Sequence, residues 1–376
     1  MIGPVNATWL LRFDTTGDGP RIAVKDCIDV AGTPTTVGCR AIAEDAEPAT
    51  QDAPVVVHAR RQGARIVGKT NLVELCRHAD GINPWTGTPA NPLDPTRIPG
   101  GSSSGSAVAV AVDEADVGYG TDTGGSVRVP AACCGIVGLK TTAGRIPTHG
   151  VFEFSRTLDT VGPLARDVAG AVVGMRMLEP GFTPAGRDGV PLTAARIRLP
   201  GVDPSIDAAV DRALAAAGFV STDVELPDWS TWLQAAYDLA GAEGHWAHRH
   251  LLDRADRLEE RNATDIRNDS GIPAARVVAC RRIGRAATAR LDGILAAHSV
   301  LALPTMAVEP PRLGERAGKT YLTVPFNLTG LPALALPVPR ADGALPASLQ
   351  LVGAAYAEEE LLALGAQVEA ALVSEP

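Results

Sequence analysis

One segment, RIPGGSSSGSAVAVAVDEADVGYGTDTGGSVRVPAACCG at 97–135, limits what this chain can fold into more than any other. It carries two glycine–serine clusters, GGSSSGS and GTDTGGS, with an apolar run between them. A linker accounts for one such cluster, but not for AVAVAV, which gains free energy only by leaving water. Two hydroxyl-rich turns around a core element therefore predict a site held between packed elements. The alanine content and serine-rich entry favour a helix from about Ser104, and VGYGTD reads as a buried strand.

The flanking sequence predicts the layer around that core. PRIAVKDCIDV reads as a short buried strand leaving at Asp26. APVVVHARRQG reads as a helix ended by Gly63, and a strand follows over 65–67. Further strands fit GIVGLK, VLALPT, PALALPV and ASLQLVG, and helices fit 167–178, 205–216, 281–298 and 358–372. Helices alternating with apolar strands along 376 residues predict the α/β class. Residues 180–205, rich in proline and glycine, form the one seam, expected to join two lobes of a single domain.

Charge and cysteine usage remove several function classes. A net charge of −9 argues against nucleic acid and anionic membrane as partners. The N-terminus lacks a basic region followed by a long apolar one, and no 18-residue apolar run exists, so neither a signal peptide nor a membrane span is expected. The six cysteines, Cys27, Cys39, Cys76, Cys133, Cys134 and Cys280, form no CxxC and read as reduced thiols of a cytoplasmic protein. Only four lysines occur, Lys25, Lys69, Lys140 and Lys319, so each merits inspection.

Most motif readings fail on a specific residue. Gly100 to Gly105 has phosphate-loop spacing, but Ser106 stands where the lysine belongs. Gly124-Gly125-Ser126-Val127-Arg128 has arginine in the last glycine slot of a nucleophile elbow. DTTGDG has calcium-loop spacing from Asp14, yet Lys25 occupies the position of the closing glutamate. His245 and His248 share a helical face without a nearby carboxylate at metal spacing, so no metal site is expected. Trp229, Trp232, Tyr237 and Trp246 read as core or as pocket lining. Adjacent Cys133 and Cys134 read as small apolar side chains. What remains is Lys25, leaving an apolar strand, and two serine-bearing turns. Burial disfavours a charged amine, and a neutral amine is a base that can serve a serine nucleophile. Consecutive amides before a helix can stabilise an oxyanion. On the residues alone, this serine–lysine reading and a purely structural one stand side by side.

Together AVKDCIDVAGTPTTVG, the segment 100–135, SRTLDTVGPLARD, VPFNLTGLPALALPVP and SLQLVG resemble the amidase-signature family of serine hydrolases over nearly the whole chain. The resemblance implies one domain over 1–376, with a central mixed sheet covered on both faces by helices. It implies Lys25 as base, Ser102 as a bridging serine after a cis peptide, and Ser126 as nucleophile. Thr123, Gly124, Gly125 and Ser126 would supply the oxyanion amides, supported by Ser103, Asp122 and Arg128. No metal or organic cofactor is implied. The activity implied is hydrolysis of a small-molecule carboxamide to a carboxylate and ammonia or an amine, through an acyl-enzyme. The pattern is most similar to compact plant amidases acting on indole-3-acetamide. A glutaminase-type component of an amidotransferase complex is the alternative, disfavoured by a shortened N-terminus and a short region around 180–300. A non-catalytic binding protein is a third reading, and a homodimer is compatible with all of them. The lip ELCRHADGINPW departs from the family by placing Cys76, Arg77, His78 and Asp80 as substrate-binding candidates. Arg77 and His78 there either face solvent or pair with a polar or anionic acyl group.

Overall fold

The computed structural model describes residues 7–186, 191–315, 320–340 and 344–374. The first half of the chain supplies strands β1 (Trp9–Arg12), β2 (Arg21–Lys25), β3 (Arg65–Thr70), β4 (Val117–Asp122), β5 (Val137–Lys140) and β6 (Thr160–Ala165). The second supplies β7 (Thr193–Ile197), β8 (Val220–Val224), β9 (Val300–Pro304), β10 (Ala333–Val338) and β11 (Ala347–Val352). All join one mixed sheet in the order β1-β3-β2-β4-β6-β5-β10-β11-β9-β7-β8. β3, β2 and β4 run parallel, as do β9, β7 and β8, and the central pairings are antiparallel. The β5–β10 pairing, Ala333 opposite Lys140, joins the two halves. The seam at 180–205 therefore interrupts no sheet.

Helices cover both faces. In chain order they are α1 (Arg40–Ala43), α2 (Pro54–Arg61), α3 (Ser104–Ala111), α4 (Arg128–Cys134), α5 (Val168–Leu178) and α6 (Pro204–Ala216). Then follow α7 (Trp229–His248), α8 (Glu260–Asp269), α9 (Ala274–Leu295), α10 (Pro325–Leu328) and α11 (Glu358–Ser374). The two-residue period of a strand sorts side chains between the layers. Ile22, Val24, Ile66, Val117 and Tyr119 pack with Val55 and Val56 of α2 and Ala171 and Met175 of α5. Ala23 and Val67 pack on the other face, against Ala107 to Val110 of α3 and Ala131 of α4. Further along that sheet, Leu301 and Leu303 meet Trp229, Trp232, Ala287 and Leu291 of α7 and α9. Every residue of α3 from Ser104 to Val110 is buried, as its Ala–Val run requires, and Ser106 Oγ is satisfied by Thr70 Oγ1 and the Tyr119 carbonyl.

Some elements differ from expectation for physical reasons. The strand expected to stop at Val67 continues to Thr70, because Lys69 Nζ pairs with Asp26 Oδ1 at 2.7 Å and is satisfied while fully buried. The helix expected from Arg281 starts at Ala274, after Pro273, and ends at Leu295. β8 reads VSTDV, too polar to suggest a strand, because it is an exposed edge strand. Lys319 lies outside the described residues. All six cysteines are free and buried. Among the described residues no helix is long and apolar enough to cross a membrane.

Candidate active site

Parallel strands deliver their C-terminal ends to one edge, where α/β proteins build their sites. β2 brings Lys25 there and β4 brings Thr121. Lys25 is fully buried, and its Nζ donates to Ser102 Oγ and to Thr121 Oγ1, each at 2.7 Å. Among the described residues Lys25 forms no ion pair. The other buried lysines are engaged elsewhere. Lys69 pairs with Asp26 and also reaches the Pro34 carbonyl at 2.8 Å. Lys140 donates to the Thr141 carbonyl at 3.0 Å, and burial, with Arg128 adding to it, brings its amine down to about 7.

The first serine turn is fixed by its backbone. The Gly101–Ser102 peptide is cis. The Gly101 amide donates to the Ala79 carbonyl at 2.8 Å, and the Val73 amide to the Ser102 carbonyl at 3.2 Å. A Cβ on Gly101 would lie 2.8 Å from the Gly81 nitrogen and from Val73 Cγ2, so only glycine fits. Ser103 links the two turns: its amide donates to the Ser126 carbonyl at 3.2 Å, and its Oγ to the Thr121 carbonyl at 3.3 Å. No hydrogen bond joins Ser102 Oγ to Ser126 Oγ among the described residues.

The second turn is braced from beneath. Asp122 Oδ1 accepts from the Gly125 amide at 2.8 Å and Oδ2 from the Val127 amide at 3.1 Å. Arg128 pairs with Asp122 at 2.8 Å, both fully buried, and reaches the Thr323 carbonyl at 2.9 Å and Gln350 Oε1 at 2.7 Å. Asn327 Nδ2 donates to Asp122 Oδ1 at 2.8 Å. Burial opposes ionisation of Asp122, but Arg128 overcomes it and holds the carboxyl well below its usual range. This bracing bears on the expected oxyanion donors. The Gly125 amide, expected among them, is engaged by Asp122 in this structure. Gly125 stands at φ +133°, with Thr323 Oγ1 2.5 Å from where its Cβ would be. Thr123, Gly124 and Ser126 line the cavity, and among the described residues their amides have no protein acceptor.

That cavity encloses about 720 Å³. Cys76, Arg77, His78 and Asp80 all line it, together with Phe154, Tyr237 and Val324. Their charges, however, are largely compensated within the wall. Arg77 donates to Asp269 Oδ2 at 2.5 Å, stacks over Phe154 at 5.2 Å, and has a side chain only 4% exposed. Asp80 pairs with Arg261. His78 lies 3.4 Å from Asp265, and burial, with Arg261 adding to it, lowers its imidazole to about 4. Arg77 therefore neither faces solvent nor stands free for an anionic acyl group, since Asp269 from α8 is its partner. Of the aromatic candidates, Trp229 and Trp232 are core, Trp246 is exposed, and Tyr237 lines the cavity, 3.1 Å from Thr320 Oγ1. His245 and His248 bond the carbonyls of Ile266 and Glu153, at 2.7 and 2.9 Å.

One further residue at the turn had no local signal in the sequence. Asp159 Oδ1 accepts from Thr123 Oγ1 at 2.5 Å, and its Oδ2 accepts from the Phe154 and Ser155 amides at 2.9 and 3.0 Å. It ties the turn to the Phe154 wall. Burial raises its carboxyl from 3.8 to about 7, and the neighbouring Cys76 thiol adds to the shift. A raised folded-state pKa means the native state keeps a proton that the unfolded chain releases. The stabilisation is complete below pH 3.8 and is lost as pH climbs to about 7. In urea titrations, wild type should lose stability across that window more steeply than Asp159→Asn. The difference in slope is at most about 1.4 kcal/mol per pH unit. Parallel slopes would show that this carboxyl does not titrate there.

A buried lysine bonded to serine, beside a turn offering unengaged amides to a cavity, defines a histidine-free serine hydrolase arrangement. Comparison with known proteins makes the class specific. The amidase family model matches residues 18–181 and 189–362, and the chain belongs to that family of amide C–N hydrolases. A glutamyl-tRNA(Gln) amidotransferase subunit of Halobacterium salinarum is 35% identical, over 94% of this chain and 95% of that one. A solved amidase is 31% identical with a TM-score of 0.85, covering 94% of this chain and 84% of its own. The corresponding glutamyl-tRNA(Gln) amidotransferase subunit of Thermotoga maritima has 26% identity and a TM-score of 0.81, with 94% and 84% covered. These relatives overturn one sequence argument. Short outer regions do not separate this chain from the amidotransferase subunits, since it spans 95% of the Halobacterium protein.

Proposed function

We propose that the protein releases ammonia from a small polar carboxamide of the glutamine class through a Ser126 acyl-enzyme. The observation that carries the chemistry is the 2.7 Å contact of Lys25 Nζ with Ser102 Oγ beside the Ser126 turn. In its amine form Lys25 takes the Ser102 proton, and Ser102 takes that of Ser126 as Ser126 attacks the amide carbon. The amides of Thr123, Gly124 and Ser126 receive the oxyanion. The relay then protonates the departing nitrogen, and water cleaves the ester.

Two observations favour a polar acyl group over a flat aromatic one. The cavity wall is polar, carrying Arg77, Arg261, Asp80, Asp265 and Asp269 in ion pairs with one another or with His78, and it offers a polar acyl group hydrogen-bonding edges rather than a flat apolar slot. The relatives named as amidotransferase subunits point the same way. Activity as an independent amidase is the second reading, favoured by the similarity to the solved amidase. Ammonia release from glutamine and from an aryl-acetamide, measured without any added protein or ATP, tests both. Glutamine should have the higher kcat/KM by about tenfold or more, a difference of about 1.4 kcal/mol. A tenfold preference for the aryl-acetamide would overturn the polar reading.

A further inference from the structure

The link between Gly124 and Gly125 carries the second turn across two residues without side chains, so nothing within it limits rotation. Its peptide is held from outside at both ends. The Gly125 amide donates to Asp122 Oδ1 at 2.8 Å. The Gly124 carbonyl accepts from Thr323 Oγ1 at 2.6 Å. Thr323 is fully buried, 199 positions away in the chain, and the proposed relay does not use it. Its hydroxyl also lies 3.1 Å from the Thr320 carbonyl, but it has one proton, and the nearer carbonyl takes it.

Thr323 is itself well anchored. Its amide donates to the Thr320 carbonyl at 3.1 Å, and its carbonyl accepts from Arg128 Nη1 at 2.9 Å. The preceding carbonyl, of Leu322, accepts from Gln350 Nε2 of β11 at 2.9 Å. The side chain also packs on the turn: a Cβ on Gly125 would lie 2.5 Å from Thr323 Oγ1 and 3.1 Å from Thr323 Cβ. Glycine is therefore required at 125, and the stiffness a side chain would bring there has to come from Asp122 and Thr323. On either side of this peptide stand the amides of Gly124 and Ser126, which have no protein acceptor among the described residues.

We propose that Thr323 is a positioning residue for the oxyanion turn, its hydroxyl fixing the Gly124–Gly125 peptide so that the flanking amides stay aligned. The inference rests on Ser126 being the nucleophile. Without the hydroxyl, Asp122 holds only the amide end, and the two glycines let the peptide plane rotate about it. The Gly124 amide and the Ser126 backbone then shift relative to one another. Donors that stabilise developing charge act only when set in advance, so the loss falls on the transition state rather than on substrate binding.

The test compares Thr323→Ala with Thr323→Ser, which both lack the methyl and differ only by the hydroxyl. Ammonia release, labelling by a fluorophosphonate and amide hydrogen exchange over residues 123–127 are measured in the whole protein. The probe bonds the serine oxygen to phosphorus, expels fluoride and places a phosphoryl oxygen where the oxyanion forms. Thr323→Ala should have kcat and labelling rate lower than Thr323→Ser by about tenfold or more, with KM within about twofold. Its Gly125 and Val127 amides should exchange faster by about tenfold. Thr323→Ser should keep at least about half of the wild-type kcat. Thr323→Val puts a methyl where the hydroxyl stands 2.6 Å from the carbonyl oxygen, so it pushes that carbonyl away and should be at least as slow as Thr323→Ala. Equal rates in Thr323→Ala and Thr323→Ser, equal exchange, or a raised KM with kcat unchanged would each overturn the proposal. If wild type neither labels at Ser126 nor releases ammonia, the proposed function fails, while the exchange rates still decide whether Thr323 holds the turn.

Discussion

Ser126→Ala is expected to lower kcat for ammonia release by at least about a thousandfold and to leave the fold intact. Ser126 lines the cavity at the end of a turn whose shape is set by other groups: the Asp122 carboxylate, the Arg128 guanidinium and the Asn327 amide. Among the described residues the hydroxyl has no protein partner to orphan, so stability should change by no more than about 0.5 kcal/mol. What is lost is the atom that forms the acyl bond. The oxyanion amides remain, so residual turnover above the uncatalysed rate is consistent with the assignment. Turnover within a tenth of wild type would sink it. Equal unfolding midpoints in urea are needed to read the kinetics this way.

Lys25→Met carries the second large effect. Methionine is also long and unbranched, so it fills much of the space without the amine. The substitution removes the donor that Ser102 Oγ and Thr121 Oγ1 share, each at 2.7 Å. Both hydroxyls are left in the interior, and stability should fall by roughly 1–3 kcal/mol. Turnover should fall nearly as far as in Ser126→Ala, because base, bridge and nucleophile act as one unit. The decisive measurement is the double variant. If Lys25→Met with Ser126→Ala is no slower than Ser126→Ala alone, Lys25 acts through Ser126. Losses that multiply would mean that Lys25 contributes independently, and the relay would be wrong.

The bracing of the second turn explains why these effects separate from folding. Asp122 and Arg128 are both fully buried, with contacts reaching the segment around Thr323 and Asn327 and, through Gln350, β11. An ion pair buried this deeply gains little net stability over an apolar pair, but breaking it costs several kcal/mol. Its value here is geometric. It engages the Gly125 amide, while the amides of Thr123, Gly124 and Ser126, residues that line the cavity, have no protein acceptor among the described residues.

By itself, the sequence was enough to locate the turns, the lysine and most of the core. GGSSSGS and GTDTGGS are local signals, because glycine is needed where backbones approach closely and serine where a turn presents a hydroxyl. RIAVK, VGYGTD and VLALPT identified themselves as strands because each is apolar on both faces, as the centre of a covered sheet demands. Tertiary structure decided what those residues meet. Asp269, 192 positions from Arg77, neutralises the cation that looked free for a substrate. Gln350, 222 positions from Arg128, and Asp159, 36 from Thr123, brace the second turn without any local pattern announcing them. A polar residue on a helix or strand end has the same local sequence whether it faces water or a buried partner. Only packing, which fixes distance and removes water, makes one of those outcomes lower in free energy.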